Sequence, residues 1–161
     1  MRAVVTAVLL VVATSAAAAE WGYYENARFD YAVDLPPGFA GEGESENGDG
    51  QIFRSDDGTR VLRVYGGNTL EETFERSVDA AMGYAREAGW SLSYERVTPS
   101  WASYSGTRNG QILYARAIAL CGGEQFAAFE FEYPERDLDD MHPVVERLVN
   151  SLEATGSGVG C

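Results

Sequence analysis

The sequence predicts an α+β domain in which one antiparallel sheet of about six to seven strands packs with two main helices. Three observations predict it. Several segments alternate apolar and polar residues with a period of two, whereas two others repeat apolar residues every three or four positions. Asp57-Gly58 and Asn109-Gly110 supply the tight turns that join neighbouring antiparallel strands. Two helices that each carry one apolar stripe need a sheet face to bury it on.

The chain opens with a segment of a different kind. Met1-Arg2 gives a short positive start, residues 3–12 are an almost unbroken apolar run, and Ala17-Ala18-Ala19 precedes Glu20. This is the charge, core and small-residue order of a secretory signal peptide, expected over residues 1–19. A membrane anchor needs about 20 apolar residues, and small, weakly apolar ones take over after Val12. No cysteine follows the cleavage site to accept a lipid, and no later stretch is apolar enough to span a bilayer. A periplasmic or secreted protein without stable membrane insertion is expected. Residues 20–155 read as one domain and residues 156–161 as a flexible Gly/Ser-rich tail.

Within the domain, Phe29, Tyr31, Val33 and Leu35 alternate with Arg28, Asp30, Ala32 and Asp34, a strand stopped by Pro36-Pro37-Gly38. Residues 41–50 mix carboxylates with glycines and read as a surface loop. Residues 51–54 and 59–65 flank Ser55-Asp56-Asp57-Gly58 as a hairpin. Thr69 and Glu72 have capping-box spacing. They open a helix with Leu70, Phe74, Val78, Ala81 and Ala85 on one side and Gly89 as its stop. Trp90, Leu92 and Tyr94 alternate with polar residues, residues 101–107 follow Pro99, and residues 111–121 are long and nearly uncharged, as a central strand requires. In residues 125–133, Phe129, Phe131 and Tyr133 face one way while Glu130 and Glu132 face the other. A last helix, capped by Asp139 or Asp140, carries Met141, Val145, Leu148 and Leu152 as its stripe.

This order of elements resembles that of the PsbP-like superfamily, and the resemblance covers most of residues 23–153. Its most specific stretch is Tyr24-Glu25-Asn26-Ala27-Arg28-Phe29 followed by Val33-Asp34-Leu35-Pro36-Pro37-Gly38-Phe39, similar to the first strand of bacterial, DcrB-like envelope members. The resemblance implies an α/β/α sandwich. Superfamily members are mostly non-catalytic accessory or binding modules, among them a lumenal photosystem II protein and a Ran-binding import factor. The resemblance carries no catalytic residue over to this chain.

Composition narrows the function classes. Twelve basic residues, every one of them Arg, face 25 acidic ones, for a formal net charge of −13. Nucleic-acid binding needs clustered cations along the phosphate backbone; here the arginines are scattered singly through the sequence, so it is disfavoured. Cys121 and Cys161, an even pair in an exported chain, suggest a disulfide between the end of a central strand and the last residue. A Cys161 left free or paired between chains is the competing arrangement.

No constellation for catalysis stands out. His142, the single histidine, lies at the start of the last helix amid acidic residues and a proline, where surface capping chemistry accounts for it. One His and two distant Cys cannot assemble a structural zinc site. Glu42, Glu44, Glu46 and Asp49 hint at calcium, but the spacing fails that of a calcium loop. Neither helix opens with a phosphate-binding glycine loop, and no cofactor is expected. Trp90, Tyr94, Trp101 and Tyr104 stand out as possible binding aromatics. The expected function is that of an exported, non-enzymatic accessory or binding protein that docks to a protein partner in the cell envelope. The alternatives are a small hydrolase using carboxylates or the His142 region, and a weakly calcium-responsive module.

Overall fold

The computed structural model describes residues 20–156 and residue 161. The expected leader over residues 1–19, and positions 157–160 of the tail, lie outside the described residues. Strands β1 (Gly22–Asn26), β2 (Tyr31–Leu35), β3 (Phe39–Glu44), β4 (Gly50–Ser55) and β5 (Val61–Asn68) precede helix α1 (Phe74–Glu87). After α1 come β6 (Ser91–Val97), β7 (Trp101–Arg108), β8 (Gln111–Leu120) and β9 (Gln125–Pro134), then helix α2 (Leu138–Ser151) and a short β10 (Glu153–Ala154).

The strands form two antiparallel sheets. A seven-stranded sheet has the order β3-β4-β5-β9-β8-β7-β6, and a three-stranded one the order β1-β2-β10. The α+β class is therefore as expected, with one refinement: the early strands split off into a sheet of their own. Their hairpin is shaped by the turn at Asn26. The Asn26 side chain is buried, and its Oδ1 accepts from the backbone N–H groups of Arg28 (3.1 Å) and Phe29 (3.0 Å). Asp30 takes a left-handed φ of 50°, which closes the β1–β2 hairpin and pairs Tyr24 with Val33.

The principal core lies between the two sheets and under α2. Tyr31 and Val33 of β2, Leu62 and Val64 of β5, Phe129 and Phe131 of β9, and Leu148 of α2 are all buried there. Burying each such side chain contributes about 1.5–3 kcal/mol. Alternation along β9 produces this: Phe129, Phe131 and Tyr133 enter the core while Glu130 and Glu132 point to the opposite face. That opposite face carries α1. Phe74, Val78 and Met82 of the helix pack onto Trp90, Ala102, Tyr104, Leu113 and Ala115.

Several local expectations are corrected. Residues 41–50 are not all loop, because β3 runs along the sheet edge through a bulge between Gly41 and Glu44. Glycines and exposed carboxylates disguise an edge strand that has little to bury. Helix α1 starts at Phe74, not Thr69; its cap is Thr73, whose Oγ1 accepts from the Arg76 N–H at 3.3 Å. Leu70 thus lies outside the helical stripe and is 93% exposed. Helix α2 begins one to two residues before the expected caps, and the residue preceding it, Asp137, makes no capping bond. Its carboxylate is instead held by Arg60 at 2.7 Å. The disulfide does join Cys121 to Cys161, with Cα atoms 5.3 Å apart.

Candidate functional site

Strand alternation distributes the four aromatic candidates between the two faces of the large sheet. Tyr104 enters the core beneath α1, where it is joined by Trp90, the residue just before β6. Trp90 is capped by the Arg108 guanidinium at 4.2 Å. Tyr94 and Trp101 lie on the other face, beyond the part that α2 and the small sheet cover. Register explains the division: Tyr94 pairs with Ser105 and Arg96 with Ser103, so these residues share a face with Trp101.

That face carries a compact arrangement of side chains. Arg96 of β6, Ser103 of β7 and Arg116 of β8 lie directly opposite one another across three adjacent strands. Neighbouring strands are about 4.8 Å apart, so the two arginine stems start roughly 10 Å apart and can both reach over the middle strand. They do so at Trp101, with guanidinium carbons 5.3 Å (Arg96) and 4.3 Å (Arg116) from its ring centroid. Ser103 is buried between them, and its Oγ accepts a hydrogen bond from Arg116 Nη1 at 3.2 Å. Tyr94, 43% exposed, and Tyr114, half-buried, border the row, and Tyr114 stacks on Phe129 at 6.4 Å.

The electrostatics set this platform apart. Arg54, Arg60, Arg63, Arg86, Arg108, Arg136 and Arg147 each have a carboxylate within 4.0 Å. Among the described residues, Arg28, Arg76, Arg96 and Arg116 have no carboxylate within 4.0 Å, although the chain has 25 acidic side chains to offer, and of these four only Arg96 and Arg116 converge on one ring. Arg116 is also partly desolvated: its Nε is buried without a hydrogen-bond partner, and burial holds the guanidinium below its usual pKa. An oxyanion placed here would meet two cations, a hydroxyl and an aromatic rim. Charge-assisted hydrogen bonds of this kind are roughly twice as strong as neutral ones.

The other sequence candidates are placed as follows. His142 projects from α2 with its side chain 72% exposed and its Nε2 3.7 Å from Glu146 Oε1, one helical turn away. In the acidic stretch, Glu42, Glu44 and Asp49 are already engaged by protein donors. Glu42 pairs with Arg54, and Glu44 accepts from the Tyr24 hydroxyl at 2.9 Å and from Asn26 Nδ2 at 3.0 Å. Asp49 is held by Ser45 and Asn47, hydrogen bonds that keep its pKa low. Among the described residues, no three His, Cys, Asp or Glu side chains converge as metal ligands would. Sequence reasoning missed Arg96 and Arg116. Lone arginines 20 positions apart become neighbours only once the β6–β7–β8 register is known.

No protein-family model and no curated protein matches the sequence. Solved structures match the fold. The solution structure of cyanobacterial PsbP (CyanoP) from Synechocystis sp. PCC 6803 superposes with a TM-score of 0.65 at 12% identity, covering 90% of this chain and 98% of that one. The Ran-binding protein Mog1p of Saccharomyces cerevisiae superposes with a TM-score of 0.61 at 9% identity, over 86% and 97% of the two chains. The fold is PsbP-like. At such identities the likeness extends to architecture alone.

Proposed function

We propose that this protein is a non-enzymatic, exported accessory module of the cell envelope, and that it docks through the Arg96–Trp101–Arg116 platform onto an acidic segment of another exported protein. The observation that carries the reading is a pair of arginines left without carboxylates on a strongly acidic protein. Net charge does not oppose the encounter at close range, because charges more than about 8 Å away are largely screened at physiological ionic strength. Trp101 adds the half-exposed aromatic surface typical of contact centres. The PsbP-like fold supports a binding role, since the Mog1p neighbour is described as Ran-binding. The expected leader and the disulfide support export.

The test uses the processed protein, residues 20–161, and fluorescent peptides rich in Asp and Glu, with Asn/Gln versions as controls. Acidic peptides should bind and perturb tryptophan emission, and the affinity should fall at least tenfold in Arg96→Gln/Arg116→Gln. Losing a charge-assisted hydrogen bond costs about 1.5–3 kcal/mol, so a tenfold loss is the lower bound. Equal binding of acidic and neutral peptides would end the proposal. The export part is read separately, by fusing residues 1–19 to a reporter that is active only outside the cytoplasm.

A further inference from the structure

On the α1 side of the large sheet the helix lies over β6 and β7, and the more central strands beside it are left under a groove of about 540 Å³. Small-molecule sites typically occupy about 300–1,000 Å³. The space exists because the residues lining it are small. Tyr65, Ala128 and Ala117 form one row across β5, β9 and β8, and Ala115 and Gly67 flank that row. On the helix side, Ala81 faces this floor one turn beyond Ser77.

Two further observations point to an occupant. Ser77 lines the groove, and its Oγ is buried there without a hydrogen-bond partner. A buried hydroxyl left unsatisfied is costly, and a ligand oxygen would give it a partner. At the mouth, Leu70 is 93% exposed and Tyr84 71% exposed, the two most exposed of the large apolar side chains described, and both line this groove. Charge narrows the ligand class. Tyr65, in the floor, donates to Glu130 Oε1 at 3.2 Å, and Glu71 stands at the rim, so an anionic head would be repelled. Arg28 and Asp49, at one end of the groove, offset each other.

We propose that this groove binds a small, uncharged lipophilic molecule bearing one oxygen, of the alcohol or ketone class, with that oxygen at Ser77 and the apolar body on the alanine floor. Arg116 of β8 also borders this groove, but its guanidinium lies on the opposite face of the sheet, at Trp101.

The experiment titrates the processed protein with the neutral probe N-phenyl-1-naphthylamine, then displaces it with decan-1-ol, decan-2-one, decanoate or decylamine. Probe emission should rise on binding and be reversed by the alcohol and the ketone, with decanoate and decylamine at least tenfold weaker. Ala81→Phe, which fills the groove, should abolish probe binding, and Ala81→Leu serves if the larger variant does not fold by circular dichroism. Ser77→Ala should leave probe affinity unchanged, because the probe has no oxygen, and weaken the alcohol three- to tenfold. No emission change, binding that survives the folded filling variant, equal displacement by a charged ligand, or an unaltered alcohol affinity in Ser77→Ala would each overturn the proposal. So would a dimer that dissociates in Leu70→Ser, since a second copy would then be the occupant.

Discussion

Opening the Cys121–Cys161 bridge should remove a large part of the stability of this domain. The two cysteines are 40 residues apart, and the loop they close contains β9, α2 and β10. In the chain-entropy treatment, a cross-link over about 40 residues takes roughly 13 cal/mol/K from the unfolded ensemble, or about 4 kcal/mol at 25 °C. Domains of this size have about 5–15 kcal/mol in total, so the loss amounts to roughly a quarter to most of it. For about 140 residues, each kcal/mol corresponds to roughly 3–5 °C, which puts the drop in melting temperature at about 10–20 °C. Urea unfolding of the oxidised protein, the reduced protein and Cys121→Ser/Cys161→Ser measures it directly. The reduced form and the double variant should unfold together at a lower midpoint. Coinciding midpoints for all three would refute the argument, because a denatured chain that the bridge restrains cannot gain freedom without a shift.

Three other outcomes are expected. Thr73→Ala should cost about 1 kcal/mol in thermal or urea unfolding, the worth of an N-cap, whereas Thr69→Ala should not destabilise, since it removes a buried hydroxyl that has no partner. Gly66→Ala should destabilise by about 1–3 kcal/mol, because a Cβ there would stand 2.8 Å from the Tyr31 ring and 2.9 Å from Phe29 Cβ. Glu130 supplies a pH test: burial raises its carboxyl above the ordinary 4.5 despite the Tyr65 hydrogen bond and nearby Arg63. The folded state therefore holds that proton more tightly than the unfolded state. Its contribution is fully present below the unfolded value and is lost as pH rises through the folded one. Glu130→Gln should flatten that part of the stability–pH curve and make the protein more stable than the parent at neutral pH, as read by urea midpoints across pH 4–8, roughly the span over which a raised carboxyl titrates.

Long periodic segments were the legible part of the fold. Residues 111–121 read as a central strand because they are long and nearly uncharged. Residues 125–133 read as a strand because Phe129, Phe131 and Tyr133 alternate with Glu130 and Glu132, and Val145, Leu148 and Leu152 fix the face of α2 by spacing alone. Elements whose side chains have little to bury were less legible. The edge strand β3 hides among glycines, and the start of α1 depends on choosing between two threonines of which only Thr73 reaches a helical N–H. The candidate site was half visible. Trp101 and Tyr94 announce themselves as large aromatics, whereas Arg96 and Arg116 gain meaning from cross-strand neighbours that a linear reading cannot supply. The groove was less visible still, since it arises from small residues on three strands and an apolar residue lying short of the helix.

The Asn26 side chain joins parts that topology leaves separate. Besides bracing its own turn, its Nδ2 donates to Glu44 Oε1 and to the Gly48 carbonyl, both at 3.0 Å, on the far edge of the other sheet. One amide thus rivets the small sheet to the rim of the large one. Prying the two layers apart would strip both of these hydrogen bonds from one buried amide, so the layers should open in concert instead of peeling one from the other.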